Sequence, residues 1–333
     1  MSPSPGRSLV STSEAWSALA APPDLSVDLP TTRPFNLEAT VRLLQRRPTN
    51  RVDRWHAGAY FRAIPTTAGV RLLRVTNRAT IAEPLLRLDL LGGVVSGEDA
   101  AGAMAMVRWM LGLDAPPAPT AWLVEVEPRL GPVIYALHGF RTPCFPSLFE
   151  TCASVIPFQQ LSLDAGTAIV GRLVERFGQP VTIGDQRWFS FPTPESIAGA
   201  SPAELRASGL SAAKTRSLQA LAHLTIAGEL DIEQLRALPT PEAFTALRAL
   251  PSIGPWSAGL ILLRGLRRLD SFPAGDVGAA RNLTALIEPP VPFTPATASA
   301  FADRFGDRRG YLYFLALGEH LRARGLLGSA GPS

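Results

Sequence analysis

Asp276 and a short turn that precedes it are the parts of this sequence whose residue types and spacing could do chemistry. The turn has the sequence LPSIGPW (residues 250–256), and Asp276 stands 20 residues after Trp256. A carboxylate held in a water-poor cleft can stabilise a positive charge that develops during a reaction, and it can orient or deprotonate an attacking water. An aspartate in the first turn of a helix, as predicted here, is commonly only favourable to the helix dipole. The context of Asp276 therefore has to decide between a chemical and a structural interpretation.

The turn at residues 252–254 is predicted to join two helices. Apolar residues recur at helical spacing as far as Leu250, and we expect Thr240 to cap this first helix. Gly254 is expected to give the turn its backbone freedom, and Pro255 suits the first turn of the second helix. The N–H groups of the turn and of the second helix would then face outward and suit a phosphate oxygen. The alternative is an ordinary turn between packed helices, which most Pro-x-x-Gly sequences are.

Together, the two segments resemble the helix-hairpin-helix DNA glycosylases, and within them the DNA-3-methyladenine glycosylase II type. The matching stretches are residues 250–258, 263–265 and 272–276. A FQQLS segment at 158–162 and a later Phe-Pro-Thr-Pro segment match further portions of the family in the same order. The resemblance extends over most of residues 33–325. It favours a phosphate-gripping turn followed by a catalytic aspartate.

The resemblance implies a role for each residue of the site. Asp276 is the expected catalytic residue, and Gln160 is the expected wedge that enters the DNA beside the flipped base. The expected base pocket is lined by Trp256, Gln159, Leu260, Leu317 and Leu43. The expected DNA contacts come from Gln160, Ser252, Ile253, Gly254, Ser257 and Ala258. The main-chain carbonyls of Arg248, Leu250 and Ile253 would hold a structural monovalent cation, Na⁺ or K⁺.

The expected pocket departs from the family in its aromatic lining. The alkyl-purine enzymes of the family surround the base with electron-rich rings, which attract positively charged alkylated bases. This chain keeps Trp256 but has leucine at 260, 317 and 43 where aromatic residues are expected, and Gly275 replaces a frequent acidic residue. Recognition should therefore depend mainly on stacking against Trp256.

The implied activity is that of a monofunctional DNA glycosylase of base excision repair. Such an enzyme flips a damaged base, here an alkylated purine, out of duplex DNA and hydrolyses its N-glycosidic bond. Bifunctional relatives carry a lysine nucleophile where this chain has Trp256, and Lys214 is expected on a solvated helix surface. The open alternatives are a non-catalytic DNA-damage-binding protein, a lyase, and a glycosylase for a different lesion.

Composition limits the class of protein. The 333 residues are 46% hydrophobic, with a formal net charge of +4 and a pI of about 9.6, which suits a polyanionic partner such as double-stranded DNA. The two cysteines, Cys144 and Cys152, exclude a four-cysteine iron–sulfur cluster and indicate a reduced compartment. We expect a monomer without a required cofactor, membrane segment or signal peptide, located in the cytoplasm with the nucleoid.

Hydrophobic patterning divides the chain into three parts. Residues 1–30 are rich in Ser, Pro and Ala, and we expect them to form a disordered lead-in. Residues 31–115 are predicted to form a small α+β domain with an antiparallel sheet, whose strands include residues 60–64, 70–75 and 84–91. Residues 116–326 follow a Pro-rich boundary and are predicted to be all-α, and the resemblance implies that they form the helix-hairpin-helix glycosylase domain with the active-site cleft. The fold class is thus α+β.

Overall fold

The N-terminal part of the molecule is built on a five-stranded antiparallel sheet. The computed structural model describes residues 22–328 of the chain. The strands are β1 (Leu25–Leu29), β2 (Arg54–His56), β3 (Ala59–Thr66), β4 (Gly69–Asn77) and β5 (Leu86–Leu91), and they lie in the order β1-β5-β4-β3-β2. The three strands predicted from the sequence are confirmed with small shifts of their ends.

Strand β1 corrects the prediction of a disordered lead-in over residues 1–30. Leu25 to Leu29 pair in antiparallel register with Leu90 to Leu86 of β5. The segment forms a strand because its alternating apolar residues reach the edge of a sheet that is distant in sequence, a contact that local composition does not show. The remainder of that prediction, at residues 1–21, lies outside the described residues.

Two helices cover one face of the sheet. Helix α1 (Leu37–Gln45) is capped by Asn36, whose side chain accepts a hydrogen bond from Ala39 N, and helix α2 (Gly97–Leu111) is capped by Ser96. Their apolar sides pack against every second residue of the central strands, including Tyr60 and Leu73. Helix α1 also contributes Leu43 to the core of the helical part and therefore joins the two parts.

Beyond residue 119 the chain is mainly helical. The helices are α3 (Thr120–Val126), α4 (Gly131–Ala136), α5 (Leu148–Val155), α6 (Leu163–Phe177), α7 (Pro194–Ala198), α8 (Pro202–Ala207), α9 (Ala212–Ile226), α10 (Ile232–Ala237), α11 (Thr240–Arg248), α12 (Pro255–Gly265), α13 (Val277–Ile287), α14 (Pro295–Asp303) and α15 (Gly310–Ala323). Across residues 22–328, none of the helices combines the length and apolar character that crossing a membrane requires.

A β-hairpin interrupts the helical part and corrects the expectation that residues 116–326 are all-α. Its strands are β6 (Pro180–Ile183) and β7 (Gln186–Phe189). Ile183 and Trp188 pack on the face of the N-terminal sheet opposite to α1 and α2, and the Trp188 ring lies 5.8 Å from that of Phe61. Packing against the sheet stabilises the hairpin, because it removes the apolar surface of both from water.

Helix α12 is the central helix and holds the predicted turn in place. Residues 257–265 of the helix are buried, including Arg264, whose Nη2 donates to the carbonyl of Leu43 at the end of α1. Gly265 allows a close approach to α5, since a Cβ there would lie 2.8 Å from Thr151 Cγ2. The C-terminal end of α12 is therefore fixed against both parts of the molecule.

Candidate active site

The predicted hairpin is present, with two corrections to its details. Helix α11 begins at Thr240 itself, with Pro239 in the cap position and no side-chain cap bond, so the prediction that Thr240 caps the helix is wrong. Thr240 follows a residue whose fixed φ already directs the chain into the helix. The left-handed residue of the turn is Ser252 (φ 60°), whereas Gly254 has φ −82° and open space around its Cβ position. Gly254 is therefore not required for the conformation of the turn.

The N-terminus of α12 presents its backbone donors. Gly254 is the cap residue and Pro255 is the first helical residue, as predicted. Ala258 N donates to Gly254 O over 2.9 Å. The N–H groups of Trp256 and Ser257 come earlier in the first turn, where the helix offers them no carbonyl acceptor. The side chains of Ile253, Ser257 and Ala258 are buried, so these predicted DNA contacts could be made only through the main chain.

The Gln159–Gln160 loop lies directly against this turn. Gln159 Nε2 donates to Ser252 O over 2.8 Å and to Ser257 Oγ over 3.0 Å. The side chain of Gln159 therefore braces the turn, where a base-pocket position was expected. Gln160 is exposed and has φ 57°, a left-handed conformation that presents its side chain away from the core. Its exposure fits the predicted wedge position.

Lys214 is not the solvated surface lysine that the sequence suggests. Its Nζ donates to the carbonyls of Pro157 (3.1 Å) and Gln159 (2.7 Å), and partial burial lowers the pKa of the amine. Helix α9 also contacts the turn through Ser217, whose Oγ lies 2.5 Å from Ser252 Oγ. Helix α9 thus holds the loop and the turn together from one side.

Asp276 is the N-cap of α13, one position before the predicted first turn. Oδ1 accepts a hydrogen bond from Ala279 N over 2.7 Å, and Oδ2 accepts one from Trp256 Nε1 over 2.9 Å. The carboxylate lies at the positive end of the helix dipole of α13. The two bonds fix the orientation of the carboxylate and connect it to the hairpin, 20 residues earlier in the chain.

Asp276 lies where two cavities meet. The first, which we call the hairpin cleft, has a volume of about 830 Å³ and is lined by residues of the turn, Gln159, Gln160, Lys214, Trp256 and Asp276. The second, which we call the arginine pocket, has a volume of about 610 Å³. Its charged and polar lining includes Arg46, Arg47, Asp164, Arg281, Asn282, His320 and Arg324. Leu161, Asp276, Val277 and Gly278 line both cavities. The carboxylate can therefore act on a molecule that extends from one cavity into the other.

The leucines of the expected base pocket are only partly brought together. Leu317 lines the arginine pocket from α15. Leu260 and Leu43 are 3% and 0% exposed and belong to the hydrophobic core, and neither side chain lines either cavity. A leucine is shorter than the aromatic residue that the resemblance places at these positions, and both side chains are covered. Trp256 lines the hairpin cleft and directs its indole N–H at Asp276.

Sequence reasoning missed several residues that line the cavities. Leu161 and Val277 are apolar yet 45% and 72% exposed, and they line both cavities together with Asp276. Arg281 and His320 lie on α13 and α15, where their positions in the sequence resemble ordinary surface positions. Of these residues, only Leu161 could have been indicated by the sequence, because it belongs to the FQQLS segment. Among residues 22–328, no group of three or more His, Cys, Asp or Glu side chains could hold a metal ion.

Two family models match successive parts of the chain. Residues 26–147 match the AlkA N-terminal domain, and residues 153–287 match the HhH-GPD superfamily base excision DNA repair protein model. The second range contains the hairpin, the FQQLS segment and Asp276. The first contains the five-stranded sheet except for Leu25, the first residue of β1.

Curated relatives and solved structures agree with these models. A Mycobacterium tuberculosis protein named "probable bifunctional transcriptional activator/DNA repair enzyme AlkA" is 30% identical over 273 residues, covering 80% of this chain and 52% of the relative. The Escherichia coli DNA-3-methyladenine glycosylase 2 is 28% identical over 192 residues, covering 56% of this chain and 62% of the relative. The structure of the Archaeoglobus fulgidus 3-methyladenine DNA-glycosylase has the same fold, with a TM-score of 0.72, 24% identity and coverage of 90% and 99%.

The chain spans between about half and two thirds of the length of these curated relatives. Its two model matches nevertheless follow one another along the chain, and the second contains both the hairpin and the capped aspartate. The chain belongs to the HhH-GPD superfamily of base excision DNA repair proteins, and its N-terminal domain is of the AlkA type.

Proposed function

We propose that this protein is a monofunctional DNA glycosylase that releases damaged bases, in particular alkylated purines, from double-stranded DNA. The observation that carries the proposal is the carboxylate of Asp276, held by two hydrogen bonds at the junction of the hairpin cleft and the arginine pocket. The names of its relatives, which include DNA-3-methyladenine glycosylases, support the alkylated purine as substrate. We expect the protein to act as a monomer on DNA in the cytoplasm.

The hairpin supplies the grip on DNA. The free N–H groups at the start of α12 and the positive end of its dipole can bind a backbone phosphate without reading sequence. Gln160, exposed beside the cleft, would enter the duplex as the base leaves the stack, and the exposed Leu161 would add an apolar surface against its neighbours. These contacts compensate the few kcal/mol that unstacking a base costs.

Asp276 would then act on the sugar. As the bond between C1′ and the base nitrogen breaks, the bonding electrons leave with the base and positive charge develops on the deoxyribose. The ionised carboxylate stabilises this charge and accepts a proton from the water that attacks C1′. The products are an abasic site and the free base, which leaves as a neutral molecule if it was cationic and otherwise takes up a proton from solvent. No amine is required for this reaction, and the amine of Lys214 is occupied by two carbonyls.

The hairpin also fits the monovalent cation that the family implies. The carbonyls of Arg248 and Ile253 accept no hydrogen bond from residues 22–328, and the carbonyl of Leu250 accepts one, from Ile253 N. Carbonyl oxygens are ligands suited to hard cations such as Na⁺ or K⁺. An ion held by these three carbonyls would add positive charge to the phosphate-binding turn.

Replacing Asp276 by asparagine tests the proposal. Asparagine is as good a helix cap as aspartate, so α13 should keep its N-terminus and the protein its fold. The variant loses the negative charge. Its amide nitrogen also cannot accept the hydrogen bond from the indole N–H of Trp256 or, if the amide is rotated, the bond from Ala279 N. Loss of such an electrostatic contribution is typically worth about 3–4 kcal/mol, or roughly two to three decades in rate.

The assay is single-turnover release of an alkylated purine from a duplex oligonucleotide, with DNA affinity measured in parallel. The matched control is Asp307→Asn, since Asp307 is a highly exposed carboxylate in the loop before α15. Full activity of Asp276→Asn would overturn the proposed mechanism. Binding of lesion DNA by the wild-type protein, with no base released from any of a panel of lesions, would favour the non-catalytic alternative.

A further inference from the structure

The arginine pocket carries an excess of positive charge. Its lining contains four guanidinium groups against two carboxylates, those of Asp164 and Asp276. Asp164 is already engaged, because its Oδ1 lies 2.6 Å from Arg47 Nε. Arg281 and Arg324 form no ion pair with residues 22–328 and reach the pocket from α13 and from the end of α15. A ligand in this pocket would therefore meet uncompensated cations.

His320 shows that these charges act on the interior of the pocket. Burial, followed by the charges of Arg324, Arg47 and Arg281, lowers the pKa of its imidazole. The neutral imidazole adds a donor and an acceptor but no negative charge that could offset the arginines. Any group that binds beside His320 experiences the same three guanidinium groups.

Polar atoms of the lining lack partners. Asn282 Oδ1, His320 Nε2 and Arg46 Nε are buried and form no hydrogen bond with the described part of the chain. Buried polar atoms are normally paired, and those that are not call for an explanation. A purine edge presents both ring-nitrogen acceptors and N–H donors, so small side-chain movements could satisfy these atoms together with the arginines.

The pocket offers little aromatic surface. Tyr313 is the single aromatic residue of its lining within residues 22–328, and it is buried with its ring edge-on to Phe314. Trp256 lies on the other side of Asp276, in the hairpin cleft. A positively charged purine in this pocket would therefore lack the stacked aromatic rings that stabilise cationic ligands in other protein sites.

We propose that the arginine pocket receives the flipped base and favours uncharged damaged purines over those that carry a positive charge. This inference rests on the proposed function, because it assigns the substrate class of the same site. Its volume is within the range of small-molecule sites, and Asp276 lies where the pocket meets the hairpin cleft, so a base in the pocket can place its sugar beside the carboxylate. The arginine donors bind the acceptors of an uncharged base, and they repel a cationic one.

The experiment compares two alkylated purines in duplexes of the same sequence. One contains ethenoadenine, which is uncharged, and the other contains 7-methylguanine, which carries a positive charge. Single-turnover release rates are measured for the wild type and for Arg281→Gln/Arg324→Gln, after subtraction of spontaneous release. Both arginines are exposed, so the variant should fold, and Arg324→Gln alone serves as a second variant.

We expect the ratio of ethenoadenine to 7-methylguanine release to fall at least tenfold in the double variant. The control Arg78→Gln/Arg206→Gln removes two exposed charges away from both cavities and should leave the ratio unchanged. A ratio that does not change in the double variant, or that changes equally in the control, would overturn the proposed preference of the pocket. Base release by the wild type would still support the glycosylase activity in that case. A wild type that releases neither base would instead refute the proposed function.

Discussion

Replacing Trp256 by phenylalanine separates two roles that the indole could have. If the ring acts by stacking on the base, phenylalanine retains most of the effect. The structure instead directs the indole N–H at Asp276 Oδ2 over 2.9 Å, and phenylalanine removes that donor while it keeps an aromatic ring in the same place. The variant therefore tests whether the hydrogen bond positions the carboxylate.

The expected loss follows from the kind of bond that is removed. Hydrogen bonds to charged groups are worth about 1.5–3 kcal/mol, which corresponds to roughly a 10- to 150-fold slower reaction if the bond is fully used in the transition state. Asp276 keeps the bond from Ala279 N, so α13 stays capped and the fold should be preserved. We expect the single-turnover rate of base release to fall by this factor and the affinity for lesion DNA to change less than twofold.

The measurement is a single-turnover excision assay on an alkylated-purine duplex, with fluorescence anisotropy for DNA binding. Trp256→Ala is the companion variant, because it removes both the ring and the donor. If Trp256→Phe retains the wild-type rate while Trp256→Ala is slow, the ring acts by stacking and the positioning role is refuted. If both variants are slow to the same degree, the hydrogen bond accounts for the contribution of Trp256.

Three further predictions follow from the contacts described. Lys214→Met should slow base release about tenfold, because the carbonyls of Pro157 and Gln159 lose a charged donor. Borohydride should trap no covalent adduct between the wild-type enzyme and DNA. A trapped adduct that Lys214→Ala abolishes would favour a lyase. Affinity for duplex DNA should fall steeply as salt rises, and a salt-independent dissociation constant would contradict phosphate binding at the hairpin. Burial raises the pKa of Glu150 from 4.5 to about 7, despite the opposing charge of Arg62, so the folded state binds the extra proton. Its contribution to the free energy of unfolding, about 3 kcal/mol, is present below pH 4.5 and is lost as the pH rises to 7. Urea unfolding should show this slope in the wild type and a weaker one in Glu150→Gln; equal slopes would refute the assignment.

The hairpin and Asp276 could be predicted from the sequence because their signals are local. Pro255 and Gly254 mark the start of a helix, and the distance to Asp276 is a simple count along the chain. The strands β3 and β4 were predictable for the same reason, since alternation and the intervening turn are contained in fewer than 20 residues. Strand β1 was not, because it forms only against a partner about 60 residues away.

The arginine pocket could not be predicted, because it combines residues from distant segments. Arg46 follows α1, Arg281 lies in α13 and Arg324 follows α15, and each resembles a surface arginine within its own segment. Leu43 and Leu260 are the converse case, because the resemblance places them in the pocket and the structure buries them in the core. Alignment to a family assigns a position but not an exposed fraction, and both side chains are closed off by neighbouring helices.

The β6–β7 hairpin has a consequence for how the protein is assembled. It belongs by sequence to the helical part, yet Ile183 and Trp188 are the cover for an apolar sheet face that includes Phe61 and Leu72. A fragment that ended near residue 115 would expose this face to water and would be prone to self-association. The two parts of the chain therefore depend on each other for folding. The sheet face is not covered until about 70 residues beyond residue 115 have been synthesised. Heat or denaturant should unfold both parts in one cooperative transition.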